Sequence, residues 1–107
     1  MLRRQARRDP VTPALFAALL TRDGGCLAPR LDATAGLCRD RWGRPVAWNA
    51  EHALTVEHVH PGYGLMGIRA PSALGSCVLL CAGHGVQSWE LAHKGLLRDY
   101  LASKAAA

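Results

Sequence analysis

The chain has 107 residues and a formal net charge of +5; half its residues are hydrophobic, yet it has only three Trp, two Tyr and one Phe. That length favours one domain with a modest core that a metal staple would help to hold, and the charge suits a polyanionic partner such as nucleic acid. No stretch approaches the ~20 apolar residues that span a bilayer, and MLRRQARRDP has no apolar run after its charges, which excludes a secretory signal peptide; a soluble, cytoplasmic protein with no membrane partner is expected.

Residues 1–11 read as a basic N-terminal tail carrying Arg3, Arg4, Arg7 and Arg8, either solvated or a nucleic-acid-contacting arm. Residues 12–107 read as a single domain. Thr12-Pro13 offers a helix N-cap followed by proline at the first helical position. Leu15, Phe16, Leu19 and Leu20 fall on one face of that helix, and Asp23-Gly24-Gly25 ends it. Residues 26–50 contain Gly36, Gly43 and Pro45 and read as irregular loop. Leu54–Val59 mixes β-branched and polar residues at a period near two, which predicts a strand. Residues 62–76, rich in glycine, predict a loop with at most a short return strand. Val78-Leu79-Leu80 is a compact apolar stretch leading into Cys81. From Gly83 to Ser103 the spacing of Trp89, Ala92, Leu96 and Tyr100 predicts helix, with Gly95 as the place where it splits in two.

Cysteine usage points to a metal. In a reducing compartment four cysteines are more readily metal ligands or thiols than disulfides. Cys81-Ala82-Gly83-His84 is a C-x-x-H step, and two donors on one turn can grip one ion; thiolate with imidazole suits zinc. Cys26 and Cys38, flanking a glycine-bearing loop, are the natural donors of the remaining two ligands. The expectation is a structural zinc on Cys26, Cys38, Cys81 and His84, with Cys77 a buried thiol. Glu57-His58-Val59-His60-Pro61 sets a carboxylate beside an imidazole. A carboxylate can hold a divalent metal while an imidazole takes a proton from water; in a strand, however, adjacent side chains point to opposite faces unless a bulge or turn intervenes.

Three segments in order, RDGGCLAP…GLCRDRWG, LTVEHVHP and RAPS…LLCAGHGVQSWELAHKGLLRDYL, resemble small HNH endonucleases of bacteriophages, those of actinobacterial phages in particular. They cover most of residues 22–101. The resemblance implies an α+β, ββα-metal (His-Me finger) fold with a structural zinc and flanking helices, in which hairpin and helix clamp one catalytic divalent ion such as Mg²⁺, Mn²⁺ or Ni²⁺. By the same resemblance His58 is the general base, Glu57 binds the catalytic metal, and cleavage of DNA leaves 5′-phosphate and 3′-hydroxyl ends. It also implies terminase and packaging proteins of a phage as partners and the host cytoplasm as the place of action.

Two positions depart from the family pattern. Ser76 stands where the middle Asn is expected, and Gly85 where many members place a metal-binding His. His93 is the first candidate to supply the missing ligand; the alternative is that His84 does so and Cys77 completes the zinc site. Arg69, Lys94 and Arg98 join the N-terminal arginines as candidate DNA contacts. His52 and His60 read as surface histidines, and Trp42, Trp48 and Trp89 as core. The rival to the enzyme is a non-catalytic zinc-bound DNA-binding or adaptor module, which Ser76 and Gly85 favour and Glu57 and His58 oppose; a plain DNA-binding domain without metal comes third.

Overall fold

A computed structural model describes residues 11–59, 73–85 and 88–106 of the chain. The tail arginines Arg3, Arg4, Arg7 and Arg8, together with His60 and Arg69, lie outside the described residues.

Helix α1 spans Pro13–Asp23. Thr12 caps it as the Thr12-Pro13 step predicts: its side chain accepts from the Leu15 N–H at 3.1 Å. Gly24 closes the other end at φ 80°, in the left-handed region that glycine enters without strain, and its N–H bonds the Leu20 carbonyl. Chain reversal brings Cys26 into the interior, and a single helical turn follows, α2 (Ala28–Leu31). An irregular stretch then leads through a 3-10 turn at Glu51–Ala53 into strand β1 (Leu54–His58).

β1 pairs antiparallel with β2 (Cys77–Cys81) in a register that sets Leu54 against Cys81, Glu57 against Val78 and His58 against Cys77. The Val59 N–H carries the ladder one step further, to the Ser76 carbonyl at 2.7 Å. All five residues of β2 are buried, because both faces of the hairpin are covered. On one face Cys77 and Leu79 meet Leu19, with Leu15, Phe16 and Leu20 of α1 and Val56 of β1 around them. On the other, Val78, Leu80 and Val59 meet Trp89, Leu97, Tyr100 and Leu101. The last three belong to helix α4 (Lys94–Ala106), which follows the short helix α3 (Ser88–Ala92). The architecture is therefore a small α+β unit, helix on hairpin on helix.

The C-terminal helical stretch breaks at His93, not at Gly95. The His93 ring Nδ1 lies 2.7 Å from the Trp89 carbonyl, and its backbone N–H turns to Glu90 instead, three residues back. A side chain that takes the carbonyl four residues earlier displaces the helical bond there and shortens the helix. Gly95 sits inside α4 with open space around it. Trp89 is core, but the other two tryptophans depart from expectation: Trp42 is 65 % exposed and Trp48 41 % exposed. Neither reaches the hairpin core because each sits in the irregular stretch before β1. No helix among the described residues is long and apolar enough to cross a membrane.

Candidate metal centre and carboxylate pair

Cys26, Cys38, Cys81 and His84 come from separate parts of the chain, yet their ligand atoms all lie within 4.8 Å of one another, and all four residues are buried. Backbone bonds set each one. The Cys26 N–H bonds Trp48 O at 2.8 Å, Gly83 N–H bonds Arg39 O beside Cys38, and the His84 and Gly85 N–H groups both fold back on the Cys81 carbonyl. That double turn is why helix does not begin at Gly83: residues 82–85 are spent bringing both donors of the C-x-x-H step to one point.

His84 Nδ1 faces the three sulfurs, 3.7 Å from Cys26, 3.9 Å from Cys38 and 3.2 Å from Cys81. A tetrahedral ion with thiolate and imidazole bonds near 2.3 and 2.05 Å needs about 3.5 Å along that edge. The other ring nitrogen, Nε2, donates to the Ala35 carbonyl at 2.9 Å. This leaves the lone pair on Nδ1, toward the thiols; metal-binding imidazoles are oriented in this way. A hydrogen bond from Cys26, with backbone N–H groups of Arg39 and His84, pulls the Cys81 thiol down to about 4. Donating that bond, and burial, push Cys26 up. Burial and the Cys81 charge raise Cys38 to about 11. The group's donor set is compatible with a closed structural zinc site. Cys77 is not part of it. It is buried against Leu19 and Leu79, at the other end of β2 from Cys81.

Glu57 lies on the opposite face of the hairpin from α1 and is 9 % exposed. Thr55 Oγ1 donates to its Oε2 at 2.6 Å and lies 3.0 Å from the Leu80 carbonyl. Burial pushes the Glu57 carboxyl up, the Thr55 bond opposes it, and the charge of Glu90 on α3 raises it further. Glu90 is itself buried, with Lys94 3.6 Å away. Two carboxylates from facing elements thus meet at one place, with Thr55 beneath. Gly85 adjoins them so closely that a Cβ there would stand 2.7 Å from Glu57 Oε2 and 3.0 Å from Thr55 Oγ1. A side chain at this position would require the Glu57 carboxylate to shift.

His58 is opposite Cys77 in the register, and directly opposed residues of an antiparallel pair share a face. It therefore belongs to the α1 face, away from Glu57. His93 does not join Glu57 either. It stacks on Trp89 with ring centroids 4.4 Å apart, and its Nε2 lies 3.5 Å from Asp32. Asp32 also accepts from Trp89 Nε1 at 2.9 Å and from Thr34, and those bonds, Thr34 first, hold its carboxyl at about 2. His84 is taken up by the thiols. Among the described residues the Cys26, Cys38, Cys81 and His84 group is the one place where three or more metal-binding side chains converge.

Lys94 is occupied with Glu90, and Arg98 is exposed beside a small cavity under Val59 and Leu101. His52 is exposed, and Ser76 is buried one residue before β2. Glu90 escaped the sequence reading. Its only signal was the acidic-to-basic spacing of four residues with Lys94, which ordinarily marks a solvated helix face. Comparison with family models, curated proteins and solved structures finds no match to this chain.

Proposed function

We propose that the chain is a zinc-stabilised, metal-dependent DNA endonuclease of HNH type, built on a ββα-metal unit of β1, β2 and α3. The observation that carries this reading is the Glu57–Glu90 pair, set between hairpin and helix beside the cysteine–histidine turn. Oxygen ligands of this charge suit a hard divalent cation such as Mg²⁺ or Mn²⁺, and the raised Glu57 carboxyl means the pair gains from a positive charge between its members. In this reading Glu57 and Glu90 hold the ion and Thr55 orients Glu57. The bound cation would supply charge neutralisation at the scissile phosphate and its leaving oxygen. His58 is the base that the resemblance implies. The net charge of +5, with Arg98 and the tail arginines, suits DNA as partner. Association with a phage packaging assembly in the host cytoplasm belongs to the same proposal and rests on the resemblance alone.

The divergence of Glu57 and His58 favours a second reading, a zinc-bound DNA-binding or adaptor module without catalysis. Plasmid nicking with Mg²⁺, Mn²⁺ or Ni²⁺ separates the two. The nuclease cuts, and Glu57→Gln and Glu90→Gln each suppress cutting in a way that added metal partly restores. His58→Ala lowers the rate by about 10²–10⁴ with zinc content unchanged. Fully zinc-loaded protein that cuts no DNA with any of the three ions establishes the second reading.

A further inference from the structure

The loop after Cys38 presents an aromatic ring among cations, and nothing in the metal chemistry uses it. Its sequence, Arg39-Asp40-Arg41-Trp42-Gly43-Arg44, carries four basic or aromatic contact groups in six residues. The loop is firmly built. Arg39 and Pro45 form a bridge, the Asp40 N–H bonds Arg44 O, and the Val46 N–H bonds Cys38 O. Buried Asp40 accepts from the backbone of Trp42 and Arg44 and from Arg44 Nε, at 2.9, 3.0 and 3.0 Å. Gly43, at φ 82°, makes the reversal. This frame holds Trp42 outward, with the guanidinium carbons of Arg41 and Arg44 4.7 and 4.9 Å from its ring centroid. A protein this poor in aromatics gains no core from a Trp placed there.

Beside the ring opens a cavity of about 440 Å³ whose lining includes Trp42, His52, Leu54 and Thr55. Its size falls in the range of small-ligand sites. One of its lining residues, Thr55, is the residue whose hydroxyl holds Glu57.

We propose that Trp42 is a stacking platform for an unpaired base of a nucleic-acid strand, with Arg41 and Arg44 contacting the flanking phosphates, and that the strand runs through this cavity toward Glu57. Every base offers a π-face, so stacking on an exposed Trp is tolerant of sequence, and paired arginines supply the backbone contacts. A duplex keeps its bases stacked on one another and has no such face to offer. The inference rests on the nuclease reading only for naming the strand as DNA.

The test uses the full chain, zinc-loaded, in buffer without other divalent ions, so that binding is read apart from cleavage. Tryptophan fluorescence and anisotropy are followed with a 12-nucleotide oligothymidylate and with a duplex of equal length. The single strand is expected to quench the fluorescence; Trp42→Ala should abolish most of the quenching and weaken binding ~5–160-fold, from about 1–3 kcal/mol per stacked base. Arg41→Gln should reduce the slope of log affinity against log salt by about one. Zinc content and melting temperature report that both variants fold, as a residue so exposed should allow. Equal affinity of Trp42→Ala and wild type for the single strand overturns the proposal, and so does quenching by the duplex as strong as by the single strand. Quenching without nicking activity leaves the platform standing and removes the nuclease; nicking with an unaffected Trp42→Ala does the reverse.

Discussion

Asp23 shows how much one side chain can organise in a domain this small. It is fully buried at the end of α1 and accepts from Arg22 Nε at 2.6 Å, from the Leu79 N–H of β2 at 3.1 Å and from the Tyr100 hydroxyl of α4 at 2.5 Å. Arg22 continues the network to the carbonyls of Leu74 and Cys77. One carboxylate therefore joins all three layers, and its charge is tolerated because each oxygen is hydrogen-bonded. Asp23→Ala leaves the Arg22 guanidinium without its counter-charge and takes the acceptor from the Leu79 amide, so a loss of ~3–5 kcal/mol in denaturant unfolding is expected. Tyr100 supplies a pH signature. Burial and the bond to Asp23 raise its phenol to about 12, whereas an unfolded tyrosine ionises near pH ~10. A raised pKa stabilises the protonated fold fully below the unfolded value and less as pH climbs toward the folded one. The stability advantage of wild type over Tyr100→Phe should thus be constant below pH ~10 and shrink between there and about 12, measured by urea unfolding across that range. Glu57 has the opposite consequence for design. Its carboxyl is raised by burial and by Glu90, so without divalent cations Glu57→Gln relieves a buried repulsion at neutral pH and should raise the melting temperature by a few degrees. A fall would mean that the Thr55 bond outweighs the repulsion. Sites shaped for function commonly carry such a cost in stability.

At the scale of elements, the approach of the chain to Cys26 is the tightest junction. A Cβ on Gly25 would stand 2.6 Å from the Trp48 carbonyl oxygen, 2.7 Å from its ring and 2.8 Å from Asn49 Cα. Two of these are backbone atoms and cannot rotate away, and the Trp48 carbonyl is the acceptor that positions Cys26. Gly25→Ala should therefore cost ~1–3 kcal/mol or more and weaken metal retention against a chelator, while Gly95→Ala, in open space on α4, should stabilise slightly. The elements with strong local signals were legible in the sequence: the Thr12 cap, the Leu15–Leu20 face and Gly24 delimit α1, and the β-branched run from Leu54 marks β1. The C-x-x-H step found one end of the cysteine–histidine cluster, and the placement of Cys26 and Cys38 on either side of a glycine-bearing loop supplied the other donors. What was not legible depends on tertiary placement. A sequence does not say that a histidine ring will take a helix carbonyl, which moved the break to His93. Nor does it say that Glu90 turns inward to face Glu57, or that Trp42 is held outside the core by a loop anchored on Asp40. The opposed faces of Glu57 and His58 were implicit in strand alternation, and the register with Cys77 makes them explicit.

For the molecule as a whole, the cysteine–histidine cluster sits where the apolar core is thin. The large fully buried side chains are few, mostly leucines and valines of α1, α4 and the hairpin. The stretch from Asp32 to Ala50 has almost no regular structure and leans on the cluster through Cys38 and through the Ala35 carbonyl that orients His84. Cys26, Cys38 and Cys81 bring three thiols together in a buried place; a divalent ion would offset most of the charge of three thiolates and close the loop onto β2. Metal affinity in such a site is folding free energy, of order 10–16 kcal/mol for structural zinc at neutral pH, against a net stability of about 5–15 kcal/mol for a typical domain. Chelation should accordingly unfold the domain, with loss of far-UV circular dichroism and near-UV tryptophan signal together, and added Zn²⁺ should restore both. Purified protein is expected to hold one equivalent of zinc, and cobalt(II) in its place should show the visible bands of tetrahedral thiolate coordination. Cys38→Ala should lose the metal and the loop's order with it, whereas Cys77→Ala, at the other end of β2 from Cys81, should keep the full equivalent. Retention of the metal by Cys38→Ala, or its loss from Cys77→Ala, would reassign the ligands. A chelated protein that melts at the same temperature as the loaded one would show that the hairpin and its two helices stand without the ion.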